Sequence, residues 1–151
     1  MNGYGANQYK NMSIKTANRG QILIMLYEAA IQNLKKACVA MDKKDQAKKG
    51  LFIGKAHDII NELSNTLDFE VGGDIARNLE RLYNFMTERL VKGNVENNKE
   101  YLVTVQNLLE TLLTGWRGAI DQVNQANAEQ AQQKPGEEGN PSDTAGTEVK
   151  K

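Results

Sequence analysis

Two residues in this 151-residue chain carry the side chains most often used for proton transfer, metal ligation or nucleophilic attack: His57 in "KAHDIIN" and Cys38 in "LKKACVAM". Each residue type occurs once. Such chemistry needs a second group at a fixed distance, a base for a nucleophile or further ligands for a metal, and the spacing supplies neither. The carboxylates are spread along polar faces, with Glu62 and Glu80 outside the apolar stripes, and no Glu-x-x-His pair of the kind found in helical metal sites occurs. The glycine pairs read as turns, since no strand precedes them as a phosphate-cradling loop would require. The sequence therefore points to no catalytic residue, no cofactor and no metal, and the chain reads as a non-enzyme. Cys38 cannot form a disulfide within the chain and stands where a small apolar helix residue would serve, so it is expected as a buried, reduced thiol.

His57 has one chemical reading of its own. The "AH" of "KAHDIIN" is similar to the start of histidine phosphotransfer domains, which are four-helix bundles with an exposed, phosphate-accepting histidine. Those domains follow the histidine with a lysine at the third position and a small residue at the fourth. Here those places hold Ile60 and Asn61, so a surface or boundary histidine is the better reading.

Any function must then rest on surfaces that helices present. The composition, 40% hydrophobic and 25% charged, suits one globular core, and a formal net charge of zero gives no global field to draw the chain onto nucleic acid or an anionic membrane. The longest apolar run, Ile22 to Tyr27, is six residues, too short to span a bilayer, and the N-terminus lacks a basic segment followed by an apolar one. A cytoplasmic protein is expected. Both prolines, Pro135 and Pro141, fall in the last seventeen residues, and the body between arm and tail has none. Breaks at "KKDQAKKG", "EVGGD" and "KGNVENN" divide that body into four helices.

The expected fold is all-α, an antiparallel up-down-up-down four-helix bundle over residues 19–125, with a flexible arm over 1–18 and a disordered polar tail over 126–151. Asn18 and Gln21 form a capping box for the first helix, which runs to about Met41. The second covers about 49–69 with Phe52, Ile53, Ala56, Ile59, Ile60, Leu63 and Leu67 on one broad stripe. Gly72 is expected as the left-handed residue that ends it, and Asp74 in the first turn of the third helix. Asn97 and Glu100 are expected to cap the fourth helix, which runs to about Gln125 and carries two apolar lines. One holds Tyr101, Val105, Leu108, Leu112, Trp116, Ala119 and Val123; the other holds Leu102, Leu109, Leu113 and Ile120.

Helices one, two and four thus carry more apolar surface than a bundle core uses, and the surplus asks for a partner chain. Gly54, Gly115 and Gly118 are expected where another backbone approaches closely. The candidate partner-binding residues are the apolar ones off the central stripe: Ile24, Tyr27 and Ile31, Ile53 and Ile60, Leu102, Leu109, Leu113 and Ile120, with Tyr9 and Ile14 on the arm. Leu63, Leu79, Leu82, Met86, Leu112 and Trp116 are read as structural.

The order "MLYEAAI" (25–31), "LDFEVGGDIARNLERLYNFM" (67–86) and Trp116 in "LLTGW" resembles the flagellin export chaperone family, FliS, over about residues 4–125. The family often has Ser-Pro where this chain has Asn18 and Arg19, and residues after about 128 extend past its usual end. The resemblance implies a small antiparallel helical bundle that binds the disordered C-terminal segment of flagellin in the cytosol, prevents premature polymerisation, and helps deliver it to a component of the flagellar type III export gate. It also implies an arm that can lie over part of the client surface. The expected state is a monomer, a dimer being possible, with no nucleic acid bound and no membrane insertion. A helical adaptor that sequesters another disordered protein would use the same grooves.

Overall fold

The computed structural model describes residues 18–133. Four helices follow one another there with no strand between them: α1 (Arg19–Asp42), α2 (Gln46–Asn65), α3 (Phe69–Glu96) and α4 (Lys99–Gln133). Each start is marked by a short polar side chain that accepts a backbone N–H left over at the helix end. Asn18 accepts from the N–H of Gln21 at 3.0 Å. Asp45 accepts from Lys48 at 3.1 Å, Asp68 from Glu70 and Val71 at 3.0 and 3.1 Å, and Asn98 from Glu100 at 3.0 Å.

Three boundaries depart from the sequence expectation. The second helix ends at Asn65, and the chain turns at 66–68 because Asp68 offers a stronger start than the glycines further on. "EVGGD" is then a kink inside α3 rather than a break, and Gly73, not Gly72, takes the left-handed backbone (φ 53°, ψ −124°). Asn97 ends α3 in the left-handed conformation (φ 54°, ψ 47°) instead of starting α4, a role that falls to Asn98. Finally, α4 continues through 126–133, where the tail was expected to have begun. "ANAEQAQQ" is made mostly of good helix formers and contains no proline or glycine.

The links at 43–45, 66–68 and 97–98 are too short to carry the chain back along a helix. Three residues reach about 10 Å, whereas a 24-residue helix such as α1 is about 36 Å long. The end of α1 therefore lies beside the start of α2, and the end of α3 beside the start of α4. Two contacts bring these four ends together. Lys99 Nζ pairs with Asp42 Oδ1 at 2.6 Å, joining the start of α4 to the end of α1. That hydrogen bond lifts the Lys99 ammonium above its ordinary range, but the pair is exposed and contributes little to stability. Lys49, 6% exposed, donates from Nζ to the carbonyl of Asn94 and to Asn97 Oδ1, both at 3.0 Å. A cation there gives the Asn94 carbonyl in the last turn of α3 a second donor and meets the negative end of the helix dipole.

Between residues 18 and 115 lies one compact unit with a core of Leu34, Ile60, Leu63, Met86, Leu90, Leu102, Val105 and Leu109 among others. Within it the Tyr27 and Tyr83 hydroxyls meet at 2.6 Å, fully buried, and tie α1 to α3. Burial first, and the Tyr27 hydroxyl second, push the Tyr83 phenol above its ordinary pKa, so it stays protonated. Gly93 lets the end of α3 approach α4: a Cβ there would lie 3.0 Å from the Cβ of Tyr101 and 3.2 Å from the carbonyl of Asn98. At Gly54, Gly115 and Gly118 a Cβ would meet no atom within 4 Å, so the close approach expected there is absent among the described residues. The second unit begins at Trp116; within it the chain is helical to Gln133 and exposed at every residue of 121–133.

Two stability outcomes follow from these contacts. Tyr27→Phe strands the Tyr83 hydroxyl in the core and is expected to cost about 1–3 kcal/mol. In urea unfolding, the Tyr27→Phe/Tyr83→Phe double variant should lose less than the two single losses added together. Gly73→Ala forces a side chain into a backbone region that is all but reserved for glycine and should cost about 1–3 kcal/mol, read as a lower urea midpoint with an unchanged slope.

Candidate functional site

The described residues contain no group of three or more His, Cys, Asp or Glu that could hold a metal. His57 is half-buried, and its Nδ1 lies 3.2 Å from the Asn61 amide nitrogen, one helical turn away on the same helix. No lysine stands at the third position after it to support a phosphoryl group. Cys38 is half-buried rather than buried, and burial raises its thiol pKa above the ordinary value, with Lys99 pulling it down and Asp42 pushing it up. A thiol held protonated in this way is a poor nucleophile at neutral pH. No described helix is long and apolar enough to cross a membrane.

What remains is apolar surface, and the structure distributes it differently from the sequence expectation. Of the residues read as partner-binding, Tyr27, Ile31, Ile53, Ile60, Leu102, Leu109 and Leu113 lie in the core, each 7% exposed or less. A partner could reach them only by opening the bundle. Ile24 and Ile120 are half-buried, and Tyr9 and Ile14 lie outside the described residues. Conversely, Leu79, Leu82, Leu112 and Trp116, read as structural, are half-buried, while Leu63 and Met86 are core as expected.

The second of the two lines on α4, as far as Leu113 and joined by Val105 from the first, is the inward one. Leu102, Val105, Leu109 and Leu113 face inward. Tyr101, Leu108 and Leu112, recurring at steps of seven and four, run half-buried along one edge of that inward line, and the opposite edge carries Gln106 and Glu110. Lys35 stands 3.9 Å from Glu110, with both side chains exposed. Taken with Asp42–Lys99, this pairing makes residue numbers fall along α1 as they rise along α4, so the two helices run in opposite directions.

A second apolar surface opens at the starts of α1 and α3. These two helices run the same way, since their ends gather at Asp42, Lys99 and Asn97 while their middles meet at Tyr27 and Tyr83. Below the tyrosine pair, Leu26 and Tyr27 are closed, but Ile22, Leu23, Ile24 and Met25 are each half-buried. On α3 the same opening shows along one line: Tyr83 is 2% exposed, Leu79 four residues earlier is half-buried, and Ile75 four earlier again is 69% exposed. Before the Gly73 kink Phe69, at 41%, and Val71, at 86%, are exposed as well. The consecutive apolar run at 22–27 is thus explained: two of its residues are core, and four are half-buried around the first turns of α1, forming with the start of α3 a shelf on which apolar groups can be buried. A surface of this kind can bind by shape and desolvation and has no means to make or break a covalent bond.

The trace of this shelf in the sequence was the run itself, since a helix with one buried face interrupts its apolar residues sooner. No signal marked Ile75 and Leu79 as incompletely covered, because both continue the inward stripe of α3.

Leu109→Asp places a charge in the core and is expected to abolish the cooperative thermal transition, since its cost approaches the whole stability of a small domain. Leu112→Asp should retain native far-ultraviolet dichroism and lose only about 1–2 kcal/mol in urea.

Residues 1–123 match the family described as Flagellar protein FliS. The chain is similar to the flagellar secretion chaperone FliSB of Pseudomonas aeruginosa, 38% identical over 74% of this chain and 91% of that protein. It is similar also to the flagellar secretion chaperone FliS of Vibrio cholerae, 35% identical over 72% of this chain and 82% of that one. Flagellar secretion chaperone FliS of Salmonella typhimurium is 33% identical over 75% of this chain and 87% of its own length.

Proposed function

The chain belongs to the FliS family of flagellar proteins, and on that premise we propose that it is a cytoplasmic export chaperone for flagellin. It binds the disordered C-terminal segment of the subunit, keeps that segment from polymerising early, and hands the complex to the flagellar type III export apparatus. The observation that carries this reading is the incompletely covered apolar shelf of half-buried Ile22–Met25 and Leu79 with exposed Ile75, in a family whose relatives are named secretion chaperones.

The mechanism is recognition coupled to folding. Apolar client side chains settle on the shelf and along the Leu108–Leu112 edge as helices or extended stretches. Ordering the client costs about 2–5 kcal/mol, which burial of roughly 200 Å² of apolar surface offsets at about 25 cal/mol per Å². A segment held in this way cannot at the same time pack into a filament. Release needs only dissociation, with no covalent step.

Calorimetric titration with a flagellin C-terminal peptide of about 50 residues tests this. One-to-one saturable binding with a large negative heat-capacity change is expected. Ile24→Asp and Leu112→Asp should each weaken it at least tenfold while leaving helicity intact. A folded protein that shows no heat of binding at any temperature rules out flagellin as the client.

A further inference from the structure

The chain is neutral as a whole, yet residues 35–55 contain seven lysines against two aspartates, a local net charge of +5. Where α1 turns into α2 four of these lysines, Lys35, Lys36, Lys43 and Lys48, and one of the aspartates, Asp45, line a hollow of about 360 Å³ together with Val39, Ala40 and Phe52. Its floor is apolar. Val39 is 51% exposed there, although it is a branched aliphatic side chain on a bundle helix. Among the described residues the Nζ atoms of Lys36, Lys43 and Lys48 have no carboxylate within 4.0 Å. Asp45 is engaged as the N-cap of α2.

We propose that this hollow is a second docking site, for an acidic peptide segment of a partner protein that carries one aromatic or aliphatic residue between its carboxylates. The charge ring selects the acid, and the Val39–Ala40–Phe52 floor selects the apolar anchor. Nucleic acid fits less well, because the lysines close round one hollow with Asp45 in its wall and do not track along a groove as the backbone of a strand requires. The chain's own residues 134–151 fit less well too, since four acids there are offset by three lysines. The site lies at the end of the unit where α1 closes, opposite the shelf at its start, so an acidic segment and an apolar client can be held together.

Fluorescence anisotropy with the full chain and a labelled peptide Gly-Asp-Glu-Asp-Phe-Asp-Glu-Asp-Gly tests this. Saturable binding is expected, falling at least tenfold when sodium chloride is raised from 50 to 500 mM. The same loss is expected when the central phenylalanine becomes serine, and in the Lys43→Gln/Lys48→Glu variant. That variant should fold, since Lys48 lies in the first turn of α2 where a carboxylate suits the dipole. It should also bind the flagellin peptide with unchanged affinity, which separates this site from the proposed client surface. Absence of binding, equal binding of the serine peptide, or equal binding of a single-stranded DNA oligonucleotide of matched charge would overturn the proposal.

Discussion

The hydrogen bond between Tyr27 and Tyr83 is the constraint around which the rest of the unit is arranged. It joins helices that are not neighbours in sequence, and it can form only if both present a large side chain at the same level. A buried hydroxyl needs a hydrogen-bond partner, and each of these has the other within reach. Once the level is fixed, Leu34, Met86 and Leu90 close into a core on one side of the pair, and on the other Ile22–Met25 and Leu79 are only half-buried. The closed side has Lys49 on the last turn of α3 and needs Gly93 to let α4 come near. The open side needs nothing further from the bundle.

This asymmetry relates architecture to function. A bundle closed at both ends would be more stable and would have no place for a client. One open along its whole length would expose enough apolar surface to aggregate. Exposed apolar side chains occur at both ends: Phe69, Val71 and Ile75 at the start of α3, and Val39, Val91 and Val95 at the other end, where lysines surround the turn between α1 and α2. The two ends therefore differ in charge: desolvation acts alone at one and together with charge at the other.

Much of this was legible in the sequence, and the misses have a common cause. Capping by Asn18, four proline-free helices and the inward stripe of α2 follow from local rules, because neighbouring residues decide them. Which of two apolar lines on α4 turns inward is decided by the neighbouring helices, and a rotation of about one residue step exchanges Leu109 with Leu108. Asn97 and Asn98 are likewise both competent caps; the first is taken up by ending α3 and holding Lys49, which leaves the second to start α4. Two consecutive glycines can end a helix or bend it, and an aspartate four residues before Gly72 decided for the bend. The family resemblance needed none of these choices, since it rests on residue order rather than on facing.

Residues 121–133 hold their helical form with every side chain exposed. Their backbone hydrogen bonds rest on the intrinsic preference of alanine, glutamine and glutamate and on the turns before them, a source of order that fades as temperature rises. Amide protons there exchange with solvent through local fraying, while those beneath Leu102 and Leu109 wait for the unit to open globally. One continuous helix thus contains a slow clock and a fast one, and a protease or a hydrogen-exchange pulse would read the boundary between them long before any melting curve did.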